Sequence, residues 1–74
     1  MKVKDLRDLA LKKANNLEVT AAKRNENCLL MPMYQNCLMV IKVCDEMAGR
    51  TDEAAEELAK KMADLIEIKE NNNG

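Results

Sequence analysis

The sequence predicts an all-α protein: a three-helix bundle, or a helical hairpin with an additional N-terminal helix, alone or as an oligomer. Apolar residues recur at helical spacing in three segments, and Pro32 and Gly49 fall between those segments. Hydrophobic residues make up 47% of the 74-residue chain, which excludes a disordered tail. At this length we expect one helical domain over residues 1–70 and a polar C-terminal tail over residues 71–74.

The first predicted helix occupies the N-terminal third of the chain. Its apolar residues share one side of a helix with 3.6 residues per turn: Val3, Leu6, Leu9, Ala10, Ala14 and Leu17. Asn15 and Asn16 are a candidate end, because asparagine competes for backbone hydrogen bonds. Residues 17–20 fit a short strand or, as we favour, a continued helix, and residues 25–27 predict a loop. The sequence therefore leaves residues 17–31 open between helix and loop.

The second predicted helix spans residues 33–48. Pro32 suits its first position, where the missing N–H costs nothing, and it favours an extended Met31. Gly49 suits the left-handed residue that follows a helix end. Apolar residues at alternating spacings of four and three form a seam along one side: Met33, Cys37, Val40, Cys44 and Met47.

The third predicted helix spans residues 51–69. Thr51 is the expected N-cap, and Asp52 and Glu53 place negative charge in the first turn, where the helix dipole favours it. Four apolar residues share one face, as the core side of an amphipathic helix does: Ala55, Leu58, Met62 and Leu65. The short connection after Gly49 predicts that the second and third helices fold back antiparallel as a hairpin.

The second helix is apolar over a wider arc than one antiparallel neighbour can cover. The first and third helices of the same chain are one way to cover it. A partner is the other way, since Met39 and Val43 lie on the far side from Tyr34 and Ile41 and would leave one flank open. The predicted interface residues are Met33, Cys37, Met39, Val40, Val43, Cys44 and Met47.

The sequence offers little for catalysis, for a metal or for a cofactor. It has no histidine, the commonest general base, and its two glycines are too few for a phosphate-binding loop. Cys28, Cys37 and Cys44 lie far apart along the chain, so the paired spacing of zinc ligands is missing. We therefore expect no enzymatic activity, no cofactor and no bound metal.

Compartment is predicted from the N-terminus and the cysteines. Residues 1–7 are charged and no apolar segment follows them, so there is no signal-peptide pattern. The odd number of cysteines argues against a disulfide framework. No apolar run approaches the roughly 20 residues that span a bilayer. We expect a cytoplasmic protein with no membrane partner.

Charge is distributed unevenly along the chain, although the net charge is only −1. Residues 1–24 carry seven basic and three acidic side chains, a net charge of +4. This segment would contact phosphates if the protein bound nucleic acid, or would pair with the acidic later segments within the fold or across a dimer. The candidate nucleic-acid contacts are Lys2, Lys4, Arg7, Lys12, Lys13, Lys23 and Arg24.

Together these features predict a protein that acts by binding another macromolecule. We expect a small helical protein–protein interaction module that forms a homodimer, or that acts as an inhibitor or adaptor of a larger protein. Small viral proteins of phages inhibit defence enzymes in this general way, an analogy that rests on no shared residues. The alternative is a small nucleic-acid-associated protein that uses the basic N-terminal segment. A third hypothesis places a small ligand between subunits.

Overall fold

The computed structural model describes residues 1–67, which contain three α-helices and one short 3₁₀ turn. Helix α1 spans Val3–Lys23, α2 spans Pro32–Glu46 and α3 spans Glu53–Ile66, and the 3₁₀ turn is Cys28–Leu30. No strand occurs in residues 1–67, which confirms the all-α class. The predicted tail over 71–74 and the last residues of the predicted third helix and domain lie outside the described residues.

Helix α1 continues through Asn15 and Asn16, so the candidate end at these residues is wrong. The favoured helical reading of residues 17–20 is confirmed, and the strand alternative is wrong. Ala14 and Ala21 are both buried on the same side of the helix, one before and one after the asparagines. Packing of this continuous side outweighs the weak helix preference of asparagine.

Helix α1 ends at a left-handed residue, a position usually held by glycine and here held by asparagine. Asn25 adopts a left-handed backbone with φ of 60°, and the Glu26 amide donates to the Ala21 carbonyl at 2.8 Å. Asparagine tolerates this conformation better than other residues with a side chain. The loop then turns at Asn27, whose side chain accepts a hydrogen bond from the Leu29 amide at 3.0 Å. The predicted loop at residues 25–27 is confirmed.

The start and end of α2 follow from one proline and one glycine. Met31 is extended, with φ of −87° and ψ of 121°, and Pro32 occupies the first turn, as predicted. The helix ends at Glu46, two residues earlier than predicted. Gly49 has φ of 87°, so the prediction of a left-handed residue here is confirmed.

Helix α3 begins at Glu53 with Asp52 as its N-cap, so the predicted cap at Thr51 is wrong by one residue. The Asp52 carboxylate pairs with the guanidinium of Arg50, which donates two hydrogen bonds at 3.0 and 2.9 Å. These bonds lower the pKa of the Asp52 carboxyl group to about 2. The carboxylate therefore keeps its charge well into the acidic range, next to the N-terminus of α3.

Two side-chain hydrogen bonds fix the direction of α1 against α2. Arg7 Nε donates to Asp45 Oδ1 at 2.7 Å, near the start of α1 and the end of α2. The Tyr34 hydroxyl donates to Glu18 Oε2 at 2.6 Å, near the start of α2 and in the second half of α1. The two helices therefore run antiparallel.

The hairpin of α2 and α3 is fixed by a third bond. Asn36 Nδ2 donates to the carbonyl oxygen of Leu65 at 3.2 Å, at the end of the hairpin remote from the connecting loop. With the short link between Glu46 and Glu53, this bond indicates that α2 and α3 run antiparallel. Helices α1 and α3 then run in the same direction, and each of the three helices contacts the other two.

The interior is built largely from small side chains. Six of the fifteen buried apolar residues are alanines: Ala10, Ala14, Ala21, Ala55, Ala59 and Ala63. The largest fully buried side chains are Leu6, Ile66, Val40, Cys37 and Cys44. Alanine lets helices approach closely but removes little apolar area from water, so the core of this chain is weakly stabilised for its size.

The buried side of α3 differs from the predicted one. It consists of Ala55, Ala59, Met62, Ala63 and Ile66. Leu58 and Leu65, which the periodicity places with Ala55 and Met62, are each 42% exposed. The prediction is wrong for these two leucines because the small alanines beside them take the positions closest to α1 and α2.

Val40→Asp is expected to unfold the chain. Val40 is fully buried on α2, and within residues 1–67 no polar or charged residue is buried with it to pair with the new charge. An unpaired buried charge costs several kcal/mol, and a core of this size contributes only about 3–5 kcal/mol. Circular dichroism should report loss of helicity for this variant and not for Lys42→Asp, on the exposed side of the same helix. Full helicity of Val40→Asp would contradict its place in the core.

Gly49→Ala is expected to destabilise the fold by about 1–2 kcal/mol. A Cβ atom at Gly49 would meet nothing within 4 Å, so the loss comes from the left-handed backbone and not from a collision. Gly49→Asn is the matched control and should lose less, because asparagine tolerates this backbone. Urea unfolding measures all three proteins, and equal stabilities would contradict the left-handed conformation.

Candidate interaction surface

The predicted interface residues divide between the core and the surface. Four of them are buried inside the chain: Cys37, Val40, Cys44 and Met47. Two are half-buried against the core: Met33 and Val43. Met39 is 45% exposed. A partner can therefore contact Met39 directly, whereas the four buried side chains hold the helices of this chain together.

Met39 lies beside the contact between α2 and α3. The bond from Asn36 to Leu65 aligns the two helices so that Val43 is level with Leu58, and Met39 lies between the levels of Leu58 and Leu65. At about 100° per residue, Met39, Val43, Leu58 and Leu65 lie along the side of the α2–α3 contact that is remote from α1. We call them the α2–α3 face: Met39, Val43, Leu58 and Leu65.

The other flank of α2 is occupied by α1. Tyr34 and Asp45 lie on this flank, and each forms a hydrogen bond with a side chain of α1. Ile41 is half-buried against the core. The structure thus agrees with the prediction that Met39 and Val43 lie opposite Tyr34 and Ile41. Met39 is the exposed member of that pair, and Val43 is half-buried against the core.

Leu58 and Leu65 belong to this surface, and the sequence analysis did not identify them. Their helical spacing is the same whether they face a core or a partner, so periodicity alone cannot separate the two roles. The sequence does contain a second apolar stripe beside these leucines, which is an alternative core side for the helix. Ala59 and Ile66 follow Leu58 and Leu65 by one residue each and form a stripe rotated by about 100°.

Leucines lie mostly outside the core of this protein. The chain has nine leucines, all within residues 1–67, and Leu6 alone among them is buried. Five are between 41% and 76% exposed: Leu29, Leu30, Leu38, Leu58 and Leu65. Single exposed leucines are ordinary, but leucines outside and alanines inside reverse the usual distribution of large and small apolar residues. Such a surface is typical of a contact with another molecule.

Charges of both signs border the α2–α3 face. Lys42 and Glu46 lie on the α2 side, Glu57 and Lys61 lie on the α3 side, and all four are exposed. Within residues 1–67, the ion pairs lie elsewhere, between α1 and α2 and in the link before α3. The border of the face therefore offers acids and bases that are available to a partner.

A hydrogen-bonded tyrosine anchors the flank of α2 that faces α1. Tyr34 is the only aromatic residue of the chain and is 7% exposed. The short hydrogen bond to Glu18, followed by burial, raises the pKa of the Tyr34 hydroxyl to about 12. Because the folded pKa is raised, this contact stabilises the fold below pH 10 and its contribution is lost as the pH rises from about 10 to about 12.

The structure does not gather the candidate nucleic-acid contacts on one side of α1. Arg7 is held by Asp45 of α2, and the hydrogen bond between them raises the pKa of Arg7. Four of the other bases lie in different directions around the helix axis: Lys4 toward α2, Lys13 toward α3, and Lys12 and Lys23 outward. Lys2 precedes the helix and Arg24 follows it. A nucleic acid approaching α1 from one direction would meet only part of this set.

The cysteines are placed as apolar residues. Burial raises the pKa of the Cys37 and Cys44 thiols, so both remain protonated at neutral pH. Among residues 1–67, no three His, Cys, Asp or Glu side chains are grouped in a way that would hold a metal ion. The described helices include none that is long and apolar enough to cross a membrane.

Comparison with known proteins identifies no relative of this chain. No family model matches it, no curated protein is similar to it, and no solved structure resembles it. The features that bear on function are therefore those of the surface itself, above all the exposed leucines and the α2–α3 face.

Glu18→Ala is expected to lower the pKa of Tyr34 from about 12 toward 10, the ordinary value for a tyrosine hydroxyl. The variant removes the hydrogen-bond acceptor that favours the protonated phenol. Tyr34 is the only tyrosine, so ultraviolet absorbance of the phenolate during a pH titration reports this group alone. Glu57→Ala, on α3, should leave the midpoint unchanged. A midpoint unaffected by Glu18→Ala would contradict the Tyr34–Glu18 bond.

Proposed function

We propose that this chain is a small helical protein–protein interaction module, a three-helix bundle that pairs with a second copy of itself through the α2–α3 face. The observation that carries the proposal is the exposure of Met39, Leu58 and Leu65 together on one side of two neighbouring helices. Contiguous apolar surface of this kind marks interaction sites on small proteins.

The weak core supports a role for a partner. Alanines fill much of the interior, so the chain buries little apolar area on its own. Chains of this size often gain the missing stability from a disulfide, a metal or another chain. Within residues 1–67 the cysteines are free thiols, two of them buried, which leaves association as the natural source of further burial. A partner that covers Met39, Leu58 and Leu65 would remove further apolar area from water and so add stability.

A second copy suits the border of the face. A two-fold interface presents the same surface twice, so it requires a surface that complements itself. The border carries Lys42 and Lys61 together with Glu46 and Glu57, and a two-fold axis through the face lets acids of one copy meet bases of the other. A strongly acidic or basic border would instead favour a partner of opposite charge.

The predicted inhibitor or adaptor role uses the same face with a different occupant. It becomes the better hypothesis if the chain stays monomeric, because the apolar face is then free for a larger protein. Nucleic-acid binding has less support, since Arg7 is occupied by Asp45 and the remaining bases of α1 diverge. The proposal includes no catalytic step, because the chain has no histidine and its two core thiols are buried.

The test is the solution mass, measured by light scattering after size exclusion. We expect twice the chain mass of 8.4 kDa for the wild type and 8.4 kDa for a double variant, Leu58→Lys with Leu65→Lys. Dimerisation of the double variant should weaken about 100-fold or more, because substitutions at the centre of an interface often cost about 2 kcal/mol each. Helicity should be unchanged, since both leucines are exposed in the single chain.

The matched control is Val19→Lys with Leu30→Lys, which adds the same charge at two exposed apolar residues outside the α2–α3 face. This control should remain dimeric. A monomeric wild type at every concentration would contradict self-pairing and would favour the inhibitor or adaptor hypothesis. A double variant that dimerises as tightly as the wild type would place the interface elsewhere.

A further inference from the structure

A cleft lies at the end of the molecule where the first turn of α1 meets the end of α2 and the link to α3. Its volume is about 430 Å³, within the range of small-ligand sites. Its walls are mainly apolar and include Val3, Cys44 and Ala48. Gly49 also lines the cleft, and the space at its Cα is open, since an added Cβ would meet no atom within 4 Å.

Positive charge predominates around this apolar cleft. The charged side chains that line it are Lys2, Lys4, Arg7, Asp45, Arg50 and Glu56, a net charge of +2. Arg7 and Arg50 are each engaged with an aspartate. Within residues 1–67, the amines of Lys2 and Lys4 take part in no ion pair, so both are available to a ligand.

An apolar wall and two available amines select one class of ligand. A small polar anion would satisfy the lysines but would leave the apolar wall in contact with water. A neutral hydrocarbon would cover the wall but would gain nothing from the amines. A molecule with a short aliphatic body and a carboxylate end satisfies both, because the carboxylate accepts charge-assisted hydrogen bonds from lysine.

We propose that this cleft is a binding site for an amphiphilic organic anion, a carboxylate with a short aliphatic chain. The aliphatic chain lies against Val3, Cys44 and Ala48, and the carboxylate lies at the opening beside Lys2 and Lys4. The cleft shares no residue with the α2–α3 face. Ligand binding and self-association are therefore separate properties, and either can fail without the other.

Sodium octanoate is the probe, titrated into the full chain and followed by amide chemical shifts in two-dimensional NMR. We expect saturable shifts centred on Val3, Cys44 and Gly49, and smaller ones at the α2–α3 face. Octan-1-ol has the same aliphatic chain without the charge. Its affinity should be lower by at least about tenfold, because hydrogen bonds to charged groups are stronger than those between neutral groups. Equal affinity for octanoate and octanol would overturn the role of the lysines.

Two variants separate the amines from the apolar wall. Lys2→Glu with Lys4→Glu should weaken octanoate binding about tenfold or more, whereas Lys12→Glu with Lys23→Glu makes the same charge change on the outer side of α1 and should not. Ala48→Phe should abolish binding by filling the cleft from an exposed position, with helicity retained. If the first double variant loses helicity, Ala48→Phe decides the test.

Absence of saturable shifts, or affinity unchanged in Ala48→Phe, would overturn the site. The same would follow from shifts concentrated at Met39, Leu58 and Leu65, because octanoate would then be covering the α2–α3 face. The solution mass is measured on the same samples. A dimer that does not bind octanoate rejects the cleft alone, and a monomer that binds it rejects self-pairing alone.

Discussion

The close packing of α1 and α3 on α2 through small side chains is the constraint on which the rest of this structure depends. Ala10 and Ala14 from α1 and Ala55, Ala59 and Ala63 from α3 occupy positions that larger residues hold in most domains. Their small size brings the helices together, and Leu6 is the one leucine of residues 1–67 that the core holds. Most of the leucines consequently lie outside the core, which leaves the core weakly stabilised and the surface rich in apolar side chains.

Helix boundaries were predictable because single residues set them. Pro32 fixes the start of α2, and Gly49 and the asparagine-rich loop mark the two connections, each through a local backbone preference. The continuation of α1 through Asn15 and Asn16 was not predictable in the same way. It depends on Ala14 and Ala21 packing on a shared side, a tertiary effect that outweighs the local preference of asparagine.

The candidate surface was predicted from α2 and missed on α3. Met39 stands out in the sequence because α2 has more apolar residues than neighbours can cover. Leu58 and Leu65 do not stand out, since an amphipathic helix is expected to bury its leucines and not its alanines. The basic segment of α1 illustrates a related limit. The net charge of a segment does not show on which side of the helix each basic residue lies. The structure shows that Arg7 pairs with Asp45, whereas Lys12 and Lys23 lie on the outer side of α1.

The single aromatic side chain also makes the molecule its own spectroscopic reporter. Tyr34 sits at the contact of α1 with α2, bonded to Glu18, and no tryptophan competes with its emission. Its fluorescence is therefore expected to report the separation of α1 from α2 and to be largely insensitive to the unfolding of α3. Circular dichroism, in contrast, sums over all three helices. Heating the protein while recording both signals would reveal whether α3 detaches first or whether the three helices melt as one cooperative unit.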